Sequence, residues 1–183
     1  MVRKNLYRAL RGQCGLRAVV SILSAVLFGM VGFASVWPTA GQAEETRFIK
    51  REHLVLDLVA GVEWMRCSIG QRWNGSGCDG EILKITIPQT EQAVTQANDQ
   101  LGGEWRLPTR KELQGLLCET CEGLKTDIAI FPDTYAGPYW TSEKNLFAPR
   151  HQWTVNFFTG HSFGRFFPEQ EMAVRLVRDL PEL

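Results

Sequence analysis

Alternating apolar and polar positions predict a series of short β-strands along the chain from residue 54 onward. In the last of these segments Val174 and Leu176 alternate with Arg175, which we expect to face outward in part. The predicted strands span residues 54–58, 62–67, 82–87, 139–142, 153–157, 161–167 and 173–179.

Two stretches carry helical spacing instead. Apolar residues recur at helical intervals through residues 91–101, and two glycines then end the predicted helix. A second helix is predicted to follow Thr109 and run to residue 117. Thr109 and Glu112 have the spacing of a capping box, in which each side chain bonds a backbone amide of the other residue. The order of these elements predicts an α+β fold, with two helices in the first half and a hairpin-rich sheet in the second.

The first 43 residues predict an export signal. Five basic residues precede an uncharged, mostly apolar run at 18–36, and small residues at Gly41 and Ala43 precede Glu44. We therefore expect a signal peptide over 1–43 with cleavage near Ala43, a polar leader without a core of its own over 44–53, and a domain over 54–180. The alternative is an uncleaved anchor, because a run of this length is just sufficient to span a bilayer. Either way the chain after Glu44 is predicted to be periplasmic or secreted.

Four cysteines follow the signal, and an even number in an exported domain predicts disulfides. Three pairings are possible. We favour Cys67–Cys78 and Cys118–Cys121, since each pair is close in sequence and closes a loop rich in glycine or polar residues. A redox pair at Cys118 and Cys121, and a zinc site shared with the other two cysteines, remain alternatives.

Composition and charge exclude several classes of function. The chain is 44% hydrophobic and 22% charged, which excludes a disordered or collagen-like chain. Residues 44–183 carry 15 basic and 20 acidic residues, so nucleic-acid binding is not expected. No nucleotide-binding, hydrolase or metalloprotease motif occurs, and we expect no catalytic residue, no metal and no cofactor.

Several motifs in fixed order resemble those of the Lcl C-terminal domain family, the globular end of the Legionella collagen-like adhesin. The similarity covers about residues 54–179. It is carried by Asp57, Gly61, Trp64-Met65-Arg66-Cys67, Gly70, Trp73, Cys78, Gly80, Trp105-Arg106-Leu107-Pro108-Thr109, Glu112-Leu113, Phe131-Pro132, Tyr139-Trp140-Thr141-Ser142, Trp153, Val155, Phe157, Gly160 and Val174-Arg175-Leu176-Val177-Arg178.

The resemblance implies a C-type-lectin-like fold, with two helices packed on a small, twisted, mainly antiparallel sheet and long loops that form the binding surface. Family members are mostly exported bacterial proteins, and the named one is an adhesin that binds sulfated glycans. Two departures stand out. This chain has no Gly-X-Y repeats, and its body after the signal is acidic.

The function predicted on this basis is an exported, non-enzymatic binding module whose loops contact a glycan or a protein of the cell envelope or surface. Trp64, Trp105, Trp140 and Trp153 are expected in the core because they lie in strand-like patterns. The rival functions are a redox or oxidative enzyme that uses Cys118 and Cys121, and an envelope structural protein anchored by residues 18–36. The candidate ligand-binding residues lie in irregular loops and are Trp73, Tyr135, Asn145, Arg150 and His151.

Overall fold

The computed structural model describes residues 46–181, and the predicted signal peptide lies outside these residues. The described chain forms two helices and three antiparallel sheets of four, two and three strands, which confirms the α+β class. The helices are α1 (Ile87–Leu101) and α2 (Arg110–Gly115). The strands are β1 (Phe48–Arg51), β2 (Leu54–Asp57), β3 (Val62–Met65), β4 (Arg72–Trp73), β5 (Cys78–Asp79), β6 (Pro138–Lys144), β7 (Gln152–Asn156), β8 (His161–Phe166) and β9 (Val177–Asp179).

The four-stranded sheet has the order β1-β2-β3-β9 and so joins the two ends of the domain. Its first strand lies within the segment predicted as a leader without a core, and that interpretation was wrong for residues 48–51. Phe48 packs edge-on against Phe131, with ring centroids 5.8 Å apart. Arg47 binds the fully buried Asp57 at 2.6 Å. The pattern concealed this strand because it lies at the edge of the sheet and three of its four side chains are exposed.

Helix α1 begins earlier than predicted, at Ile87, and the strand predicted over 82–87 does not form. Thr86 caps the helix in a capping box with Gln89, and Pro88 occupies the first turn, where a missing amide hydrogen costs nothing. Ile85 alone keeps a β-bridge, to Met172. The local cap therefore overrides the high strand propensity of this segment.

Helix α2 has the predicted capping box, with Thr109 as N-cap and Glu112 reaching back to its backbone. It ends at Gly115, two residues earlier than expected. Arg106 binds Glu112 at 2.8 Å and Asp179 at 2.5 Å. Partial burial acts to raise the pKa of Glu112, but hydrogen bonds from Arg106 and from the Thr109 backbone outweigh it and hold this pKa below its usual value.

The core consists of two clusters. The first lies under α2 and includes Trp64, Leu113 and Tyr139. The second lies under α1 and includes Trp105 and Trp140. Both clusters belong to one compact unit, which therefore has a hydrophobic core of its own.

Three of the four tryptophans predicted for the core are buried, namely Trp64, Trp105 and Trp140. Trp153 is only half-buried. Its ring covers Gly164 on β8, and the guanidinium of Arg110 lies 4.2 Å from its centroid. The alternating pattern correctly placed Trp153 in a strand, but it did not show that this face of the sheet is partly exposed to solvent.

The last segment differs most from its prediction. Only Val177–Asp179 forms a strand, while residues 173–176 run buried between the other elements. Arg175 is 1% exposed, so the expectation that it faces outward was wrong. No helix within residues 46–181 has both the length and the apolar character that crossing a bilayer requires.

Candidate functional site

Two disulfides form in the pairing that the sequence favours. Cys67 and Cys78 join across a Cα–Cα distance of 5.5 Å and enclose residues 68–77, which we call the stapled loop. Cys118 and Cys121 join across 5.4 Å. The stapled loop contains little regular structure beyond the short pair β4–β5, so the disulfide and its contacts with other loops fix its shape.

The stapled loop is bonded to residues 116–137, the connection between α2 and β6, which we call the long loop. Gln71 donates from Nε2 to the carbonyl of Asp133 at 3.3 Å, and the Cys78 amide donates to Asp133 Oδ2 at 2.9 Å. The two loops therefore form one continuous surface. Trp73 and Tyr135, two of the predicted ligand residues, belong to this surface.

Arg66 connects Trp73 to the long loop. Its guanidinium lies 4.0 Å from the centroid of the Trp73 ring and donates to the carbonyls of Ile130 (2.8 Å) and Ala129 (3.2 Å). Burial lowers the pKa of Arg66. One face of Trp73 is thus held by a cation that is itself held by the backbone, and the indole is half-exposed in a fixed orientation.

Arg175 supports both loops from below. Its guanidinium donates to the carbonyl of Arg66 and, at 2.7 Å, to Thr134 Oγ1, and it lies 4.7 Å from the centroid of Phe131. Burial lowers the pKa of this group, and among the described residues no carboxylate forms an ion pair with it. Arg175 therefore acts as a hydrogen-bonded crosspiece that ties the stapled loop, the long loop and β3 together.

A groove of about 700 Å³ lies between the stapled loop and α1. Trp73 lines it beside three polar side chains, Arg72, Gln96 and Gln100. The side chains of these three residues make no hydrogen bond with any other described residue, so their donors and acceptors are free. Sequence reasoning missed both glutamines, because on a helix with exposed polar positions they resemble ordinary surface residues.

Tyr135 is oriented by its neighbours rather than free. Lys84 lies 4.0 Å from the centroid of its ring and donates to its hydroxyl at 2.9 Å. The Tyr135 amide donates to the hydroxyl of the buried Tyr139. Tyr135 is half-buried and lies just before β6 begins.

The other three predicted ligand residues, Asn145, Arg150 and His151, lie at the opposite end of β6. This strand has seven residues between Tyr135 and Asn145, which separates the two groups by about 20 Å. Asn145 donates to the carbonyl of Gly164 at 2.7 Å, and the His151 ring lies 4.6 Å from that of Phe167. The five residues therefore belong to two separate surfaces.

A model of the Lcl C-terminal domain matches residues 53–178, well over half of the chain and nearly all of the described fold. The chain belongs to the Lcl C-terminal domain family. No curated protein matches it. In this Lcl C-terminal domain the residues that carried the resemblance include the half-exposed Trp73 and, buried beneath it, Arg66, Tyr139 and Arg175.

Cys118 and Cys121 follow the short helix α2 instead of starting a helix. Lys125 Nζ donates to the Cys121 carbonyl at 2.6 Å, and the backbone carbonyl of Lys125 accepts from the Cys118 amide, which closes the turn. The pair thus lacks the helix N-terminus that lowers thiol pKa values in many redox proteins. Within residues 46–181, no group of three or more His, Cys, Asp or Glu side chains could hold a metal ion.

Proposed function

We propose that this protein is an exported binding module of C-type-lectin-like fold that binds a carbohydrate of the cell envelope or surface in the groove beside Trp73. One observation carries the proposal: a fixed, half-exposed indole lines a groove together with unpartnered polar side chains. The family indicates an adhesin-like extracellular module, and the carbohydrate is our extension of that role.

The groove suits a sugar on chemical grounds. A pyranose ring has an apolar C–H face that packs on an aromatic ring, and its hydroxyls need planar donors and acceptors around its edge. Trp73 provides the ring, while Gln96, Gln100 and Arg72 provide free amide and guanidinium groups. A groove of this volume has room for one or two sugar rings.

The rigidity of the surface also supports binding. The disulfide at Cys67 and Cys78, the bonds to Asp133 and the Arg175 crosspiece hold the groove wall before any ligand arrives. A preformed site avoids the entropy cost of ordering a loop on binding. The disulfides and the family are consistent with an extracellular or periplasmic location, and we propose that it is reached after cleavage near Ala43.

Binding of the protein beginning at Glu44 to an array of neutral and acidic oligosaccharides tests the proposal, with titration calorimetry on any hit. We expect Trp73→Ala to weaken binding at least tenfold and the double variant Gln96→Ala/Gln100→Ala to weaken it several-fold. Gln92→Ala is the matched control, since Gln92 is an exposed glutamine of the same helix outside this groove, and it should leave affinity unchanged.

The double variant keeps the test independent of folding, because neither glutamine side chain bonds another described residue and alanine is a good helix former. Retention of the protein by an envelope protein and by no oligosaccharide would contradict the carbohydrate assignment. Equal losses in Gln92→Ala and in the groove variants would contradict the location.

A further inference from the structure

The loop between β6 and β7 exposes consecutive large apolar side chains. Leu146 is 87% exposed and Phe147 is 98% exposed, so neither contributes to either core cluster. Phe167, 49% exposed, lies beside this loop against the ring of His151. We call Leu146, Phe147 and Phe167 the apolar tip. Exposing adjacent Leu and Phe side chains to water is unfavourable, and burying them against a partner would recover this free energy.

Most amides of this loop are already hydrogen-bonded within it. The Asn145 side chain accepts from the Phe147 amide at 3.0 Å and donates to the Gly164 carbonyl at 2.7 Å. The Ala148 amide donates to the Asn145 carbonyl at 3.1 Å, and the His151 amide donates to the Ala148 carbonyl at 2.8 Å. The loop therefore turns these polar groups inward and its apolar side chains outward. Such a loop can leave water without stranding these amides, which matters most in a lipid environment.

Cationic side chains flank the apolar tip along the chain and on the neighbouring strand β8. Lys144, Arg150 and Arg165 make no ion pair with any described residue. Arg165 lies over the ring of Phe163. The acidic residues near this end of the sheet are Glu143, which is held by Arg110, and the exposed Glu169 and Glu171 of the turn after β8. Three free cations against two free carboxylates give this end of an otherwise acidic domain a local positive excess.

We propose that the β6–β7 loop is a membrane-docking site for bilayers rich in anionic phospholipid. Leu146 and Phe147 enter the interfacial region, and Lys144 and Arg150 contact the phosphates of the headgroups. The shape favours a bilayer over a protein groove, because Leu146 and Phe147 protrude almost fully exposed and the amides of Phe147, Ala148 and His151 are already hydrogen-bonded within the loop. A lipid surface accepts a protruding apolar side chain without a preformed pocket.

This site lies at the end of β6 away from Tyr135 and the long loop to which the stapled loop is bonded, about 20 Å along the strand. A domain docked through the apolar tip would leave the groove beside Trp73 open. The inference does not depend on the carbohydrate proposal, because the two surfaces share no residue.

Co-sedimentation with vesicles tests the proposal, with the protein from Glu44 onward so that residues 1–43 cannot contribute. Vesicles of phosphatidylcholine alone are compared with vesicles containing 30 mol% phosphatidylglycerol, a composition chosen for strong negative charge. We expect binding to the anionic vesicles, weakened at least tenfold by Leu146→Ser/Phe147→Ser. We also expect several-fold weakening by Lys144→Gln/Arg150→Gln and by about 0.5 M salt.

Phe158→Ser is the matched control. Phe158 is 62% exposed in the turn between β7 and β8, at the opposite end of the same sheet, and its loss should not change vesicle binding. Melting temperatures close to that of the unmodified protein in both variants would show that folding is intact. The proposal is overturned if the anionic vesicles retain no protein, or if Phe158→Ser loses as much binding as the tip variant. A dimer that depends on Phe147 and excludes vesicles would also overturn it.

Discussion

Removing the disulfide of the stapled loop by Cys67→Ala/Cys78→Ala should destabilise the domain by roughly 3 kcal/mol. The two residues are separated by 11 positions, and the chain-entropy relation for a loop of that length gives this value. The comparable change at Cys118 and Cys121, separated by 3 positions, should cost only about 2 kcal/mol, because a shorter loop restricts the unfolded chain less.

Urea unfolding at neutral pH, followed by tryptophan fluorescence, measures both losses. A loss of ~3 kcal/mol in a domain of this size lowers the melting temperature by roughly 10 °C. Hydrogen exchange should also accelerate at the amides of the stapled loop, where Gly70 and Gly75 have positive φ and the only strand pairing is the short pair β4–β5. A loss below ~1 kcal/mol, or a larger loss at Cys118 and Cys121 than at the stapled loop, would refute the reasoning.

Three further predictions concern groups that the fold places in constrained positions. Arg175→Met should lower the free energy of unfolding in urea by roughly 3 kcal/mol, because the buried Arg66 carbonyl and the Thr134 hydroxyl lose their hydrogen-bond donor. Arg175→Lys should recover part of the loss, and a fully stable methionine variant would contradict this prediction. Because its pKa is lowered in the fold, Glu112 stabilises at neutral pH and loses that contribution as the pH falls through the folded pKa. Glu112→Gln should therefore flatten the decline in melting temperature between about pH 5 and pH 3, and an unchanged decline would argue against the ion pair with Arg106. Gly70→Ala should lower the free energy of unfolding by more than ~2 kcal/mol in the same assay, since its Cβ would lie 2.5 Å from the Glu81 carbonyl oxygen. Gly123→Ala should cost about half as much, because Gly123 also has a positive φ but has open space around it.

Local signals in the sequence located much of the secondary structure. Thr109 and Glu112 mark the start of α2 because a capping box is made by residues three apart and needs no distant partner. The two disulfides followed from short separations in the same way. The strand predicted over 82–87 does not form because the helix cap at Thr86 competes with the high strand propensity of the same residues. Propensity values alone do not show which of the two effects is stronger.

The candidate surfaces were only partly predictable. Trp73 drew attention as an aromatic residue in a loop, but its orientation depends on Arg66, which is held in turn by carbonyls 63 and 64 residues further along the chain. The glutamines of α1 became candidates only when the stapled loop was placed beside that helix. Asn145 was predicted as a ligand residue, yet its side chain is occupied in shaping the β6–β7 loop.

The sequence by itself determined the family, the α+β class, the favoured cysteine pairing and the capped start of α2, since each depends on residues close together or on motifs in fixed order. Only the tertiary structure decided that Arg175 lies inside and that the predicted ligand residues divide between the two ends of β6. Long-range packing decides which face of a strand is covered and which loops meet. The pattern of apolar residues along the chain gives no information on either, because both depend on residues far apart in sequence.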